Sequence, residues 1–360
     1  MLCPLYTGRN GKGVQTEKSI RVLVVDDSIV FREVLSKGLS ADPHIEVVAT
    51  AKDPFDARDK IIKYEPDVMT CDVEMPKMNG IEFIRRLLPQ YPLPVIVVST
   101  VSNAVFDAMN VGAIDFVGKP EVKSLNSVER FIDEMIAKVK VASNAKVSPP
   151  KLGFSQGKPA GNADFSANKV IAVGASTGGT EALFNILKYL PKNIPGIVVV
   201  QHIPPVFSRM FAERLNATTC LNVKEASSGD AIKAGCVLIA PGDRHLRIKK
   251  YGGEFRVECF KGAKVNGHCP SVDILFESVS REAGKNSIGI ILTGMGYDGA
   301  RGLLAMRRRG ARTIGQDEKT SVVYGMPKVA FDIGAVESQV PLENIPQLLY
   351  SMLVSKRIYG

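Results

Sequence analysis

The chain is predicted to fold as two α/β domains in series. The first is a doubly wound, five-stranded parallel sheet; the second is a larger doubly wound unit that carries a small antiparallel hairpin. Three observations predict this. Short β-branched apolar runs alternate with amphipathic segments from Ile20 to about Lys140. That periodicity then fails in a stretch rich in Ser, Pro, Gly, Lys and Asn, and it returns from Lys169. A length of 360 residues with 45% hydrophobic composition is enough for two cores of ordinary size.

In the first domain, residues 21–25, 46–49, 68–71, 95–99 and 116–117 read as strands, and residues 31–40, 54–63, 81–88, 105–111 and 128–140 as helices between them. The expected boundaries are an N-terminal extension over 1–19, expected to be disordered, the first domain over 20–140 and a linker over 141–168. The second domain then runs over 169–360. There, strands are expected at 169–174, 196–201, 237–240, 245–249, 255–259 and 287–293, with the hairpin turning near 251–253. Helices are expected at 180–188, 208–215, 272–283 and 300–309.

Several function classes are excluded at this level. No apolar run approaches the roughly 18 residues a membrane span needs. Gly8, Arg9, Gly11, Lys12 and Gly13 interrupt the N-terminus where a signal peptide needs an apolar core, so a cytoplasmic protein with no membrane insertion is expected. The six cysteines form no C-x-x-C pair and read as reduced thiols. The net charge of +9 is spread along the chain, and its densest run, Arg307 to Arg309, lies on a helical pattern as a solvated face. No nucleic-acid partner is expected.

Asp26 and Asp27 follow the first predicted strand, and Asp72 ends the third. In a doubly wound sheet these strand ends are neighbours, so three carboxylates converge at one edge. Such a cluster is repulsive unless a hard divalent cation such as Mg²⁺ sits on its oxygens. One carboxylate can then act as nucleophile toward a phosphoryl group. Ser99 and Lys119, at the ends of the fourth and fifth strands, would offer it a hydroxyl and an ammonium. Helix capping is the alternative role for any one of these aspartates. The set V-V-D-D-S, C-D-V-E-M-P-K-M-N-G, V-V-S-T and V-G-K-P, in that order, resembles the receiver domain of bacterial response regulators, a flavodoxin-like five-strand fold. The resemblance implies that Asp72 is the phosphoacceptor, that Asp26, Asp27 and Asp72 hold Mg²⁺, and that Ser99 and Lys119 sense the phosphoryl group. Residues 113–114, where many receivers carry an aromatic switch, are not aromatic, so no aromatic flip is expected.

In the second domain, strand 169–173 runs into Gly174-Ala175-Ser176-Thr177-Gly178-Gly179 and a helix, which sets Ser176 on a tight strand-to-helix turn. A glycine-rich turn of this kind also suits a dinucleotide pyrophosphate, but that site needs an acidic residue at the end of the next strand. Here that strand ends in Gln201-His202-Ile203-Pro204, and an imidazole is what a serine nucleophile requires as its base. Asp298, in T-G-M-G-Y-D-G at another strand end, is the expected carboxylate orienting His202, with N-capping of the following helix as its alternative role. The order Ser176, His202, Asp298 is not that of α/β-hydrolases.

The motifs G-A-S-T-G-G, Q-H-I-P-P, N-G-H-C-P-S-V-D, I-L-T-G-M-G-Y-D-G-A and V-V-Y-G-M-P together resemble the catalytic domain of the chemotaxis-specific protein-glutamate methylesterases. The resemblance implies a phosphorylation-activated hydrolase that demethylates glutamate methyl esters on methyl-accepting chemotaxis receptors, releasing methanol, and deamidates specific receptor glutamines. It implies Ser176 as nucleophile, His202 as general base, Asp298 as its partner and the Met295 amide as oxyanion donor, with Thr177 and His268 lining the site. The chemotaxis histidine kinase would be the phosphodonor, and the catalytic domain would need no cofactor. The competing reading is a response regulator whose output domain binds a partner without catalysis.

Overall fold

The computed structural model describes residues 19–100, 104–120, 125–147, 165 and 169–354. Residues 1–18 of the expected extension and 148–164 and 166–168 of the expected linker lie outside the described residues.

The first unit alternates β1 (Ile20–Val25), α1 (Ile29–Ser40), β2 (Ile45–Ala51), α2 (Pro54–Tyr64), β3 (Val68–Asp72), α3 (Gly80–Leu87), β4 (Val95–Ser99), α4 (Ala104–Asn110), β5 (Asp115–Gly118) and α5 (Leu125–Ala142). All five strands pair in parallel, in the order β2-β1-β3-β4-β5. Their apolar runs are continuous because both faces are covered. Leu23, Val25, Met69 and Val97 pack into one core while Val22, Val24, Val68 and Val98 pack into the other, which is the period of two that a pleated strand imposes. Each such buried aliphatic side chain contributes about 1.5–3 kcal/mol. Helix starts are fixed by side-chain caps: Ser28 accepts from the amide of Phe31, Asp53 from those of Phe55 and Asp56, and Asn79 from that of Glu82.

The second unit comprises β6 (Val170–Ala175), α6 (Gly179–Leu187), β7 (Ile197–Gln201), α7 (Pro205–Thr218), β8 (Asn222–Glu225), β9 (Cys236–Ile239), β10 (His245–Tyr251), β11 (Glu254–Phe260), α8 (Val272–Glu282), β12 (Ser287–Ile291), α9 (Ala300–Arg308), β13 (Arg312–Gln316), α10 (Met326–Asp332), β14 (Ser338–Val340) and α11 (Ile345–Leu353). Seven strands form a parallel sheet in the order β14-β13-β12-β6-β7-β9-β8, so the order reverses at β6, between β7 and β12. A crevice at the carboxyl end of β6 follows from that topology. The strands β10 and β11 pair antiparallel through Gly252 and Gly253, whose φ values of 54° and 94° are those of a type I′ turn.

The two units share one core. The cluster that holds Leu23 and Val97 continues into Ile171, Leu183 and Leu215. It crosses by aromatic pairs: Phe116 of β5 lies 4.7 Å from Phe207, and Phe106 of α4 stacks at 5.7 Å on Phe211, both partners being on α7. Ala113 and Ile114 are buried in the turn before β5, and the aromatic of that strand is Phe116, wedged into the interface.

Candidate active site

At the carboxyl edge of the first sheet, one potential ligand atom from each of Asp26, Asp27 and Asp72 lies within 4.8 Å of the others. Asp26 and Asp72 are buried and Asp27 is exposed, which gives a site open on one side. The Nζ of Lys119 donates to Oδ2 of Asp72 at 2.6 Å and sits 2.9 Å from Oδ2 of Asp26. Burial raises the Asp72 carboxyl above its ordinary range, against the opposing pull of Lys119. A divalent cation would reverse that effect and hold the group ionised. The hydroxyl of Ser99 is fully buried without a partner among the described residues. All five expected residues meet here, and an oxygen-only donor set with a single ammonium fits Mg²⁺ and a phosphoryl group.

In the second unit the parallel register pairs Ala175 of β6 with Gln201 of β7, so Ser176 and His202 each stand one residue beyond the last paired positions of adjacent strands. Three bonds hold the Ser176 turn. Its amide donates to Thr293 O at 3.0 Å, its carbonyl accepts from Gly179 N at 2.7 Å, and Gln201 Nε2 donates to that carbonyl at 2.9 Å. Gly178 takes φ +77°, which a side chain would resist, and opens α6. A Cβ on Gly294 would lie 2.6 Å from that of Ser176, so glycine at this position lets the Gly294-Met295 loop close onto the serine.

Nε2 of His202 lies 2.9 Å from Oδ2 of Asp298. Facing a carboxylate, that nitrogen carries the proton, which leaves Nδ1 as the acceptor. Nδ1 is buried without a partner among the described residues. Asp298 is 1% exposed and does not cap its own helix; Gly299 stands at that N-cap. Its carboxylate instead meets the start of α8, accepting from Val272 N at 2.7 Å, Ser271 Oγ at 2.8 Å and Asp273 N at 3.2 Å, and it accepts from Asn266 Nδ2 at 2.9 Å. Burial alone would push this carboxyl up, but the contact with His202 and the amide donors outweigh it and hold the group well below the usual range.

The ring of His268 stacks on His202 at 3.7 Å and 8°. Burial, reinforced by His202, pulls the His268 imidazole down to about 4, so at neutral pH it covers the His202 ring as an uncharged group. Thr177 is buried and its hydroxyl donates to Oδ2 of Asp115 at 2.8 Å, a contact that crosses from one unit to the other. Met295 is half-exposed at the rim. The expected set of Ser176, Thr177, His202, His268, Met295 and Asp298 thus converges on one edge of the sheet. Sequence reasoning did not find Gln201, Asn266 or Ser271. Asn266 and Ser271 lay inside the N-G-H-C-P-S-V-D motif, but nothing in a one-dimensional pattern tells which of its polar groups face Asp298.

Residues 171–349 match the CheB methylesterase family, and residues 22–129 match the response regulator receiver domain. A relative from Syntrophomonas wolfei subsp. wolfei, named protein-glutamate methylesterase/protein-glutamine glutaminase 2, is 57% identical over 93% of this chain and 98% of its own. A relative from Syntrophotalea carbinolica, named protein-glutamate methylesterase/protein-glutamine glutaminase, is 49% identical over 95% of this chain and 99% of its own. Among solved structures, the catalytic domain of the Thermotoga maritima CheB methylesterase matches with TM-score 0.51 and 40% identity, over 52% of this chain and all of that one. Among the described residues no helix is long and apolar enough to cross a membrane. These likenesses set aside an output domain that only binds a partner: the chain belongs to the CheB methylesterase family, and it carries a response regulator receiver domain ahead of the methylesterase domain.

Proposed function

We propose that the chain hydrolyses γ-glutamyl methyl esters on methyl-accepting chemotaxis receptors and deamidates receptor glutamines in the cytoplasm, under control of phosphorylation at Asp72 by a chemotaxis histidine kinase. The observation that carries the chemical part is His202, which stands one residue past the end of the strand beside that of Ser176 and is fixed by Asp298 through Nε2, while its buried Nδ1 has no partner among the described residues. Nδ1 takes the Ser176 proton as Oγ attacks the ester carbonyl. The oxyanion that forms is met by the amide of Met295 and by the N-terminus of α6. Collapse breaks the ester C–O bond, and His202 returns the proton to the departing methoxide, giving methanol and an acyl-Ser176. A water molecule, deprotonated by His202 in turn, attacks the acyl carbonyl; the bond to Ser176 Oγ breaks, His202 returns the proton to that oxygen, and the receptor side chain is left as glutamate. With an amide substrate the same steps expel ammonia.

In the receiver, Asp26, Asp27 and Asp72 would hold Mg²⁺, which supplies charge neutralisation at the phosphoryl group. Lys119 and Ser99 would contact the phosphoryl oxygens. The Thr177–Asp115 bond and the Phe116–Phe207 contact support a resting state in which the receiver covers the catalytic edge. A serine-directed phosphonofluoridate tests the nucleophile. Mass spectrometry should find the adduct on Ser176, with labelling lost in His202→Ala; an adduct confined to another serine would overturn the assignment.

A further inference from the structure

The segment Val265-Asn266-Gly267-His268 is a tight turn in which Val265 and His268 exchange both backbone hydrogen bonds at 2.9 Å. Asn266 and Gly267 have φ +52° and +84°, the pair of positive values of a type I′ turn, for which Asn-Gly is the preferred sequence. Conformation alone would account for that dipeptide if the Asn266 side chain pointed to solvent. Instead its Nδ2 donates to Oδ1 of Asp298 at 2.9 Å and to Oδ2 of Asp273 at 2.7 Å. One amide therefore stands between two buried carboxylates. Asp273 is held on its other side by Gly302 N at 2.7 Å, and α8 is fixed by packing, so the amide cannot swing away from Asp298 without abandoning both acceptors.

We infer that Asn266 is a positioning residue for the hydrolytic reaction, holding Asp298 so that only Oδ2 faces His202, while its turn delivers the ring of His268 onto the base. The geometry divides the Asp298 carboxylate. Oδ1 is taken by Asn266, Ser271 and the Asp273 amide, and Oδ2 by Val272 and His202. With Asn266 removed, Oδ1 loses a donor, and the two carboxylates lose the amide that stands between them. The carboxylate then turns or takes up a proton, and His202 loses its orientation. The same turn carries His268, so base and cover are placed by one short segment.

This inference rests on the Ser176–His202–Asp298 reading, and the test separates the two. Asn266→Gly keeps the positive φ without strain and deletes the amide; Asn266→Asp keeps size, tolerates that backbone, and replaces the donor by an acceptor. Methanol release from methylated receptor is measured for the full chain carrying each change, alone and combined with Asp298→Ala. A positioning role predicts that kcat falls roughly 10–100-fold in Asn266→Gly, and further in Asn266→Asp, with KM within about twofold of the parent. In the Asp298→Ala background Asn266→Gly should change kcat by less than about twofold, because the group it positions is gone. If Asp298→Ala is inactive but both Asn266 variants keep parental kcat, or lose the same factor in either background, the inference on Asn266 is overturned and the triad stands. If Asp298→Ala retains parental kcat, the triad reading fails first and the inference falls with it.

Discussion

The hydroxyl of Thr177 donates to Oδ2 of Asp115 at 2.8 Å, so the residue after the proposed nucleophile is fastened to the first residue of the receiver strand β5. The other carboxylate oxygen of Asp115 accepts from Nζ of Lys138 at 2.7 Å, which orients it. Three residues beyond β5's start lies Gly118, and the next residue is Lys119, which bonds Asp72. One short strand and the residue after it thus link the contact at Thr177 to the acidic pocket.

Breaking that contact should release the catalytic edge without phosphate. The double change Asp115→Ala with Lys138→Met removes the acceptor and the buried ammonium that orients it. Coupling of about 1–3 kcal/mol predicts a rise of about 5–150-fold in unphosphorylated methanol release. Unchanged basal activity would mean that the Thr177 contact restrains nothing.

The acidic pocket should bind Mg²⁺ and accept phosphate at one carboxylate. Asp72→Asn is expected to abolish phosphate transfer from the chemotaxis kinase, and Asp27→Ala to weaken Mg²⁺ binding at least tenfold by titration calorimetry. Phosphate transfer persisting in Asp72→Asn would place the acceptor elsewhere.

Within the proposed triad, the base should matter more than its partner. His202→Ala is expected to cost kcat roughly 10⁵–10⁶-fold. Asp298→Asn leaves the base in place and should cost roughly 10³–10⁴-fold. Single-turnover rates of methanol release check the order, and a reversed order would contradict the roles assigned.

His268 should make stability depend on pH. Its imidazole titrates at about 4 in the folded chain and near 6.5 when unfolded, because burial, then His202, disfavour its charge; Asp298 opposes this and Lys264 adds to it. Between about 4 and 6.5 the unfolded state therefore binds more protons, so stability rises with pH across that window and this contribution is lost as pH falls. The effect is on the order of 1–3 kcal/mol after allowance for residual solvent. Melting curves of His268→Gln against the parent should show a shallower slope in that window and equal slopes above pH 7.

Much of this arrangement is readable in one dimension because strand ends in a doubly wound sheet are forced together. Asp26 and Asp72, or Ser176 and His202, are far apart in sequence yet end neighbouring strands. The strands β8, β13 and β14 escaped that reading. Asn222–Glu225 and Arg312–Gln316 are short and half polar, and Ser338–Val340 is only three residues long, so none shows the apolar run that marks a buried strand. The apolar interface was also hidden. Phe116 and Phe207 fall in separate predicted domains, and nothing in their spacing tells that they pack on each other.

Ser176 is proposed to hydrolyse receptor methyl esters, and phosphorylation at Asp72 to uncover it. The most direct measurement is methanol release from methylated receptor by the full chain with Mg²⁺, with and without a small phosphodonor, in parent, Asp72→Asn and Ser176→Ala proteins. The parent should accelerate with phosphodonor, Asp72→Asn should stay at its basal rate, and Ser176→Ala should release no methanol in either condition. Methanol release by Ser176→Ala at the parental rate, or equal acceleration of Asp72→Asn, would contradict the account.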